Sequence, residues 1–230
     1  MSFRTKQDQV ADILRERIIA GDFERGQKLK QADIARELGV SITPVREALN
    51  VLEAEGYVVG ISHRGLLVPS LVESELREVY DLRVNLESEL TRHAVAEMSG
   101  SRMAQLRDLH HTVARACAGG DRLVRRVANY RFHFALYGFA GRPQSLKFVR
   151  VLWAKYPFVD QERGSRSEVR MVDEHDRLLA EIERRDADAA VAAMVDHISS
   201  GWENFAAAAP PARRRPAEPS SADGRQTNHP

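Results

Sequence analysis

Between Ala32 and Asn50 the chain reads Ala-Asp-Ile-Ala-Arg-Glu-Leu-Gly-Val-Ser-Ile-Thr-Pro-Val-Arg-Glu-Ala-Leu-Asn, a segment that few folds can accommodate. Ala32, Ile34, Ala35 and Leu38 supply the apolar positions of one short helix. Gly39 gives the backbone freedom a tight turn needs, and Val40 packs beneath it. Ser41 is placed to cap a second helix by accepting a hydrogen bond from its first-turn amides. Pro44 is tolerated there because those amides have no helical acceptor. Val45, Ala48, Leu49 and Leu52 recur at helical spacing and are predicted to face inward, which leaves Thr43, Arg46 and Asn50 outside. This pattern predicts a helix-turn-helix whose second helix presents its N-terminal end to double-stranded DNA.

The flanking residues extend the reading. Val10, Ile13, Leu14 and Ile18 make an amphipathic helix before the motif. After it, Val58-Val59 and Leu66–Val68 are β-prone runs around Ser62-His-Arg-Gly65, predicting a two-stranded hairpin. So short a hairpin must pack against the helices to be stable, so residues 1–70 read as a winged helix-turn-helix. From Leu71 to Ala208 apolar residues recur at i, i+3, i+4 spacing in six segments. These break near Ser99-Gly-Ser, Gly119-Gly-Asp, Gly141-Arg-Pro, Gly164-Ser and Arg185-Asp. Short connections predict an antiparallel bundle. The expected fold class is therefore mostly α, with an N-terminal winged helix and a C-terminal all-α bundle of about six helices spanning 71–208. Residues 209–230, rich in Pro, Ala, Ser and Arg, are expected to be a disordered tail.

Composition narrows the partners. The chain is 43% hydrophobic and 29% charged with net charge +1, and no apolar run approaches the ~20 residues needed to cross a bilayer. The N-terminus lacks a hydrophobic signal core, so a cytoplasmic location without membrane attachment is expected. The first 70 residues hold ten Lys/Arg and ten Asp/Glu. DNA binding must then rest on a few positioned cations rather than a broad basic field. The lone cysteine, Cys117, is expected in the core.

The motifs Ile19-Ala-Gly-Asp22, Gly26-Gln-Lys-Leu29, Leu38-Gly-Val-Ser41, Thr43-Pro-Val-Arg-Glu-Ala-Leu49, Leu52-Glu-Ala-Glu-Gly56 and Arg64-Gly65 resemble those of GntR family regulators. Tyr80-Asp-Leu-Arg-Val-Asn-Leu-Glu87, Asn129-Tyr-Arg-Phe-His133, Glu174-His175 and His197-Ile198 resemble the ligand-sensing FCD domain of the fatty-acid-regulator branch. The resemblance implies a homodimer on a short palindromic operator. It implies DNA contacts from Arg36, Ser41, Thr43, Pro44 and Arg46, and from the wing residues His63, Arg64 and Gly65. Two positions depart from the pattern. Ile42 stands where relatives carry a basic residue, a loss of about 1–3 kcal/mol if that cation paired with a base. Asn129 stands where the sensor motif begins with Asp.

Asn129 and His133 are four residues apart and share a helix face. His175 lies on an apolar stripe with Val172, Leu179 and Ile182, and His197 follows Ala193 and Met194. A bundle gathers such inward positions, and three imidazoles with an amide oxygen can coordinate one divalent metal, with Zn, Ni and Mn all compatible. The alternative for each histidine is a hydrogen-bonded core residue. The set His₃Asn carries no negative charge, so a small carboxylate effector would complete it. Arg83 is expected to point outward from the Leu82/Leu86 ridge. The resemblance makes it a second carboxylate anchor; the other reading is a surface pair with Glu87. His93, His110 and His111 are predicted to lie on solvated faces.

These features predict a ligand-responsive transcription regulator, with repression relieved by a small organic acid as the outcome the resemblance implies. A metal-dependent enzyme is the main rival, with Glu174 as the nearby general base. A third reading is an architectural DNA-binding protein with a vestigial sensor.

Overall fold

The computed structural model describes residues 5–62, 65–156 and 165–208, with side chains absent from the description at 165–168 and 204–208. Helix α1 (Lys6–Ala20) begins under a reciprocal cap, Thr5 Oγ1 accepting from the Asp8 amide at 3.1 Å and Asp8 accepting from the Thr5 amide at 3.0 Å. It stops at Gly21 in the left-handed region, φ 86°. Helix α2 (Gln31–Leu38) ends at Gly39, φ 64°, which makes the tight turn into α3 (Ile42–Ala54). Val45, Ala48, Leu49 and Leu52 of α3 are wholly buried against Leu14 and Ile18 of α1 and Ile34 of α2. Full burial of one such side chain is worth roughly 1.5–3 kcal/mol, so this small core suffices to fix the second helix. Ala32, expected in that core, is exposed; Ile34 and Ala35 carry the contact from α2.

Strands β1 (Val59–Ile61) and β2 (Gly65–Leu67) pair antiparallel with Val59 opposite Leu67. A bridge from Lys28 to Leu67 and a hydrogen bond from the Leu29 amide to the Leu66 carbonyl stitch this wing to the segment before α2. His63 and Arg64 lie outside the described residues, as does the segment 209–230.

A 3-10 turn at Glu73–Glu75 leads into the bundle: α4 (Leu76–Ala96), α5 (Gly100–Gly119), α6 (Arg122–Phe139), α7 (Pro143–Lys155), α8 (Ser165–Arg184) and α9 (Ala187–Ala208). Their starts follow local chemistry. Ser99 caps α5, Asp121 caps α6 through the Leu123 and Val124 amides, and Pro143 opens α7. Helix α4 packs against α6, α7 and α9, and α5 against α6 and α8. Cys117 is buried, as expected.

The two halves meet along α1 and α6. Arg131 grips Glu16 with two 2.6 Å bonds, Arg126 donates to the Ala20 carbonyl at 2.8 Å, and Arg25 donates to the carbonyls of Pro69 and Ala154 at 3.2–3.3 Å. No described helix is long and apolar enough to cross a membrane.

Candidate DNA-facing tip and buried sensor site

The tip of α3 is built by its own periodicity. With four apolar side chains held inward, Ser41, Thr43, Arg46 and Asn50 are exposed and Pro44 is half-buried in the first turn. Arg46 makes no ion pair among the described residues, whereas Arg36 pairs with Asp33 at 3.2 Å on the open face of α2. Ser41 occupies the capping position in extended backbone, φ −72° and ψ 164°, but its hydroxyl does not accept from the first-turn amides. The expected cap bond is therefore absent, and the hydroxyl stays exposed beside Thr43. Ile42 is 49% exposed at the same tip.

The second cluster is interior. His133 on α6, His175 on α8 and His197 on α9 bring one ring nitrogen each within 4.8 Å of one another. Their neighbours set the tautomers. Tyr137, one turn after His133, donates its hydroxyl to Glu87 Oε2, so its oxygen is left to accept from His133 Nδ1 at 3.2 Å. Burial and the adjacent Glu87 raise the Tyr137 pKa well above the ordinary phenol value, which keeps that proton in place. Glu174 Oε2 accepts from His197 Nδ1 at 2.9 Å. Burial alone would raise the Glu174 pKa, but hydrogen bonds from His197, Ser200 and Arg170 bring it below the ordinary carboxyl value. The Tyr137 network leaves a lone pair on His133 Nε2, which faces His197 Nε2 at 3.0 Å.

Either a proton or a metal ion placed between the two ring nitrogens satisfies this contact. Ligand nitrogens about 2.0–2.1 Å from a tetrahedral cation stand roughly 3.4 Å apart, against 3.0 Å for the His133–His197 pair and up to 4.8 Å across the three histidines. Burial, followed by the neighbouring imidazoles, pushes the pKa of His133 and His175 well below the usual histidine value, so both are neutral donors. Both ring nitrogens of His175 and the Oδ1 of Asn129 are buried without hydrogen-bond partners. Orphaned buried polar atoms of this kind ordinarily cost about 1–3 kcal/mol each. Three neutral imidazoles brought together in this way are a donor set that suits a borderline divalent cation.

Arg83 differs from its expected place. It is buried at 4% exposure, not outward, and its Nε donates to Glu87 Oε1 at 2.6 Å. Its guanidinium lies over the rings of Tyr156 and Trp153 at 4.2 and 5.0 Å. The pairing with Glu87 is real but internal, because helices α6 and α7 close over this face of α4. Glu87 also accepts from the Trp153 indole at 3.0 Å. His110 is likewise buried rather than solvated, with Nε2 2.7 Å from Asp176 and its ring beside His175. Sequence reasoning missed Tyr137 and Glu87 as partners of the cluster. Their i+4 spacing from His133 and Arg83 was the available signal, whereas nothing local connects Trp153 to either.

Comparison with known proteins follows the same division. Residues 6–68 match the family described as bacterial regulatory proteins, gntR family, and residues 78–200 match the FCD domain. The HTH-type transcriptional repressor GlaR of Escherichia coli (strain K12) is 28% identical over 195 residues, covering 80% of this chain and 89% of that protein. An HTH-type regulator from the TAR-I ttuE-ttuC' intergenic region of Agrobacterium vitis is 30% identical over 132 residues, covering 56% of this chain and 77% of the relative. Among solved structures, E. coli McbR/YncC superposes with a TM-score of 0.77 at 22% identity, over 89% of this chain and 97% of that one. The chain belongs to the GntR family of bacterial regulatory proteins, in the branch whose C-terminal half is an FCD domain.

Proposed function

We propose that this DNA-binding regulator acts as a homodimer whose grip on a short palindromic operator weakens when a small carboxylate enters the FCD domain. Two-fold symmetry would set two α3 tips into successive major-groove faces. The observation that carries the reading is the exposure of Thr43 and Arg46 on a helix whose opposite face is wholly buried. Arg46 is assigned a base edge or phosphate, Ser41 and Thr43 the backbone, and Arg36 the backbone beside α2. Pro44 holds the first turn, and the wing residues His63, Arg64 and Gly65 are assigned to the adjacent minor groove. Residues 1–70 form the DNA-binding part and 71–208 the sensing part, working in the cytoplasm where the DNA is.

Asn129, His133, His175 and His197 would hold a divalent metal ion, Zn, Ni or Mn. Bound there, the ion supplies a positive anchor for a carboxylate. Arg83 offers the second anchor, and because Glu87 already occupies it, an entering carboxylate has to share or displace that pairing. This exchange inside the bundle gives the effector its differential affinity for two arrangements of the chain, the requirement for any allosteric effect. The names of the relatives favour regulation over catalysis by the same cluster.

Fluorescence anisotropy with DNA from upstream of the regulator's own gene tests the assignment. Arg46→Ala is expected to weaken binding by about 1–3 kcal/mol, the scale of one base contact, with an unchanged melting temperature. Equal affinity of variant and wild type would remove the α3 tip from the interface.

A further inference from the structure

A cavity of about 410 Å³ opens between the winged helix and the bundle, and none of the three histidines lines it. Ile18 and Phe23 wall it from the first half of the chain, and Leu123 and Trp153 from the second. Its size lies within the range of small-molecule sites, which occur preferentially where domains meet. Arg25, in its lining, lacks the counter-charge that burial demands. The guanidinium of Arg25 is half-buried and meets only the neutral carbonyls of Pro69 and Ala154, with no carboxylate within ion-pair distance among the described residues. Tyr57 is 1% exposed, and its hydroxyl has no hydrogen-bond partner. Burial draws the pKa of Arg25 downward, the mark of a cation short of a counter-charge, and Tyr57 is the group that acts against that shift. Glu24, the acidic lining residue, is exposed to solvent, and Arg122 and Arg126 join Arg25 in the lining.

We infer that this cavity is a second ligand site, distinct from the histidine cluster, that binds a small carboxylate carrying an aromatic or aliphatic body. The carboxylate would meet Arg25, and the apolar body would lie against Ile18, Phe23 and Leu123. An inorganic anion would satisfy the cation but leave those walls wet, so the chemistry calls for both parts in one molecule. The walls belong to both halves of the chain, so occupancy would also brace their junction.

The probe is 4-phenylbutyrate, titrated calorimetrically into the full chain beside its uncharged amide, 4-phenylbutanamide. Saturable binding at one per chain is expected, with the amide at least tenfold weaker. Arg25→Gln should weaken 4-phenylbutyrate at least tenfold. Leu123→Trp, at a half-exposed wall position where folding is not at stake, should block the site by filling it. The double variant His133→Ala/His197→Ala should bind the probe as the wild type does. The inference is overturned if no saturable binding occurs, or if Leu123→Trp binds the probe unchanged. It is equally overturned if the double histidine variant loses binding, since the probe would then have gone to the histidine cluster.

Discussion

The two halves of this regulator differ in how many polar groups they bury. In the winged helix the core is apolar apart from Arg15, which is buried and tied to Glu55 and Asp12 at 2.8 and 2.6 Å, while Thr43, Arg46 and Asn50 stay in solvent. In the bundle, Arg83, Glu87, Asn129, His133 and His175 are all buried. A surface that meets a polyanion needs its cations hydrated and available until the moment of contact. A sensor needs the reverse, because polar groups in a low-dielectric interior respond strongly to the arrival or loss of one charge. An exposed polar tip in one half and a buried polar network in the other is the contrast that defines this chain.

The largest expected effect of breaking it comes from Glu87. Glu87→Ala strands the Arg83 guanidinium and removes the acceptor of Tyr137 and Trp153. Loss of one partner from a buried ion pair costs about 3–5 kcal/mol, a drop in melting temperature that thermal denaturation would resolve. Truncation of the exposed pair Arg36–Asp33, by contrast, should cost about 0–1 kcal/mol. If both variants melted alike, the interior network would have no special weight.

A second effect follows from pH. His133 and His175 have pKa values lowered in the folded state, chiefly by burial, from an unfolded value of 6.5. The unfolded chain therefore takes up protons first as pH falls. Stability from these two groups is fully present above pH 6.5 and declines below it, by up to about 1.4 kcal/mol per pH unit for each histidine. Chelator-treated protein should thus melt lower at pH 5.5 than at pH 7.5. His175→Phe, whose new ring would keep the stack on Phe132, should lose about half of that slope. A flat profile in both proteins would contradict the neutral, buried assignment.

The smallest effect concerns Ile42, an exposed apolar side chain at the tip we assign to DNA. Ile42→Arg adds one cation there, and the salt dependence of DNA binding should steepen by about 0.9 in the log–log slope, one phosphate's worth. An unchanged slope would place Ile42 away from the backbone.

The same contrast explains what could be read from the sequence. Val45, Ala48, Leu49 and Leu52 alternate with Thr43, Arg46 and Asn50 along one helix, so apolar spacing alone separates the core from the exposed face. The family motifs pointed to the three histidines, and their inward stripes agreed. Arg83 was harder. Its four-residue spacing to Glu87 is the same for a surface pair and for a buried one, and only the packing of α6 and α7 over α4 decides between them. His110 was misplaced for a related reason: its burial depends on α8 lying across α5. The empty cap at Ser41 shows the limit of local rules, since the residue has the right place and backbone without the hydrogen bond.

The most direct test is the metal content of the freshly purified regulator, measured by elemental analysis in parallel with His133→Ala/His197→Ala. Removal of two of the proposed ligands leaves the α3 tip untouched, so operator binding in the absence of effector serves as the control for folding. The account predicts close to one divalent ion per wild-type chain and none in the double variant, with both proteins still bound to DNA. Equal metal content in the two proteins would contradict it.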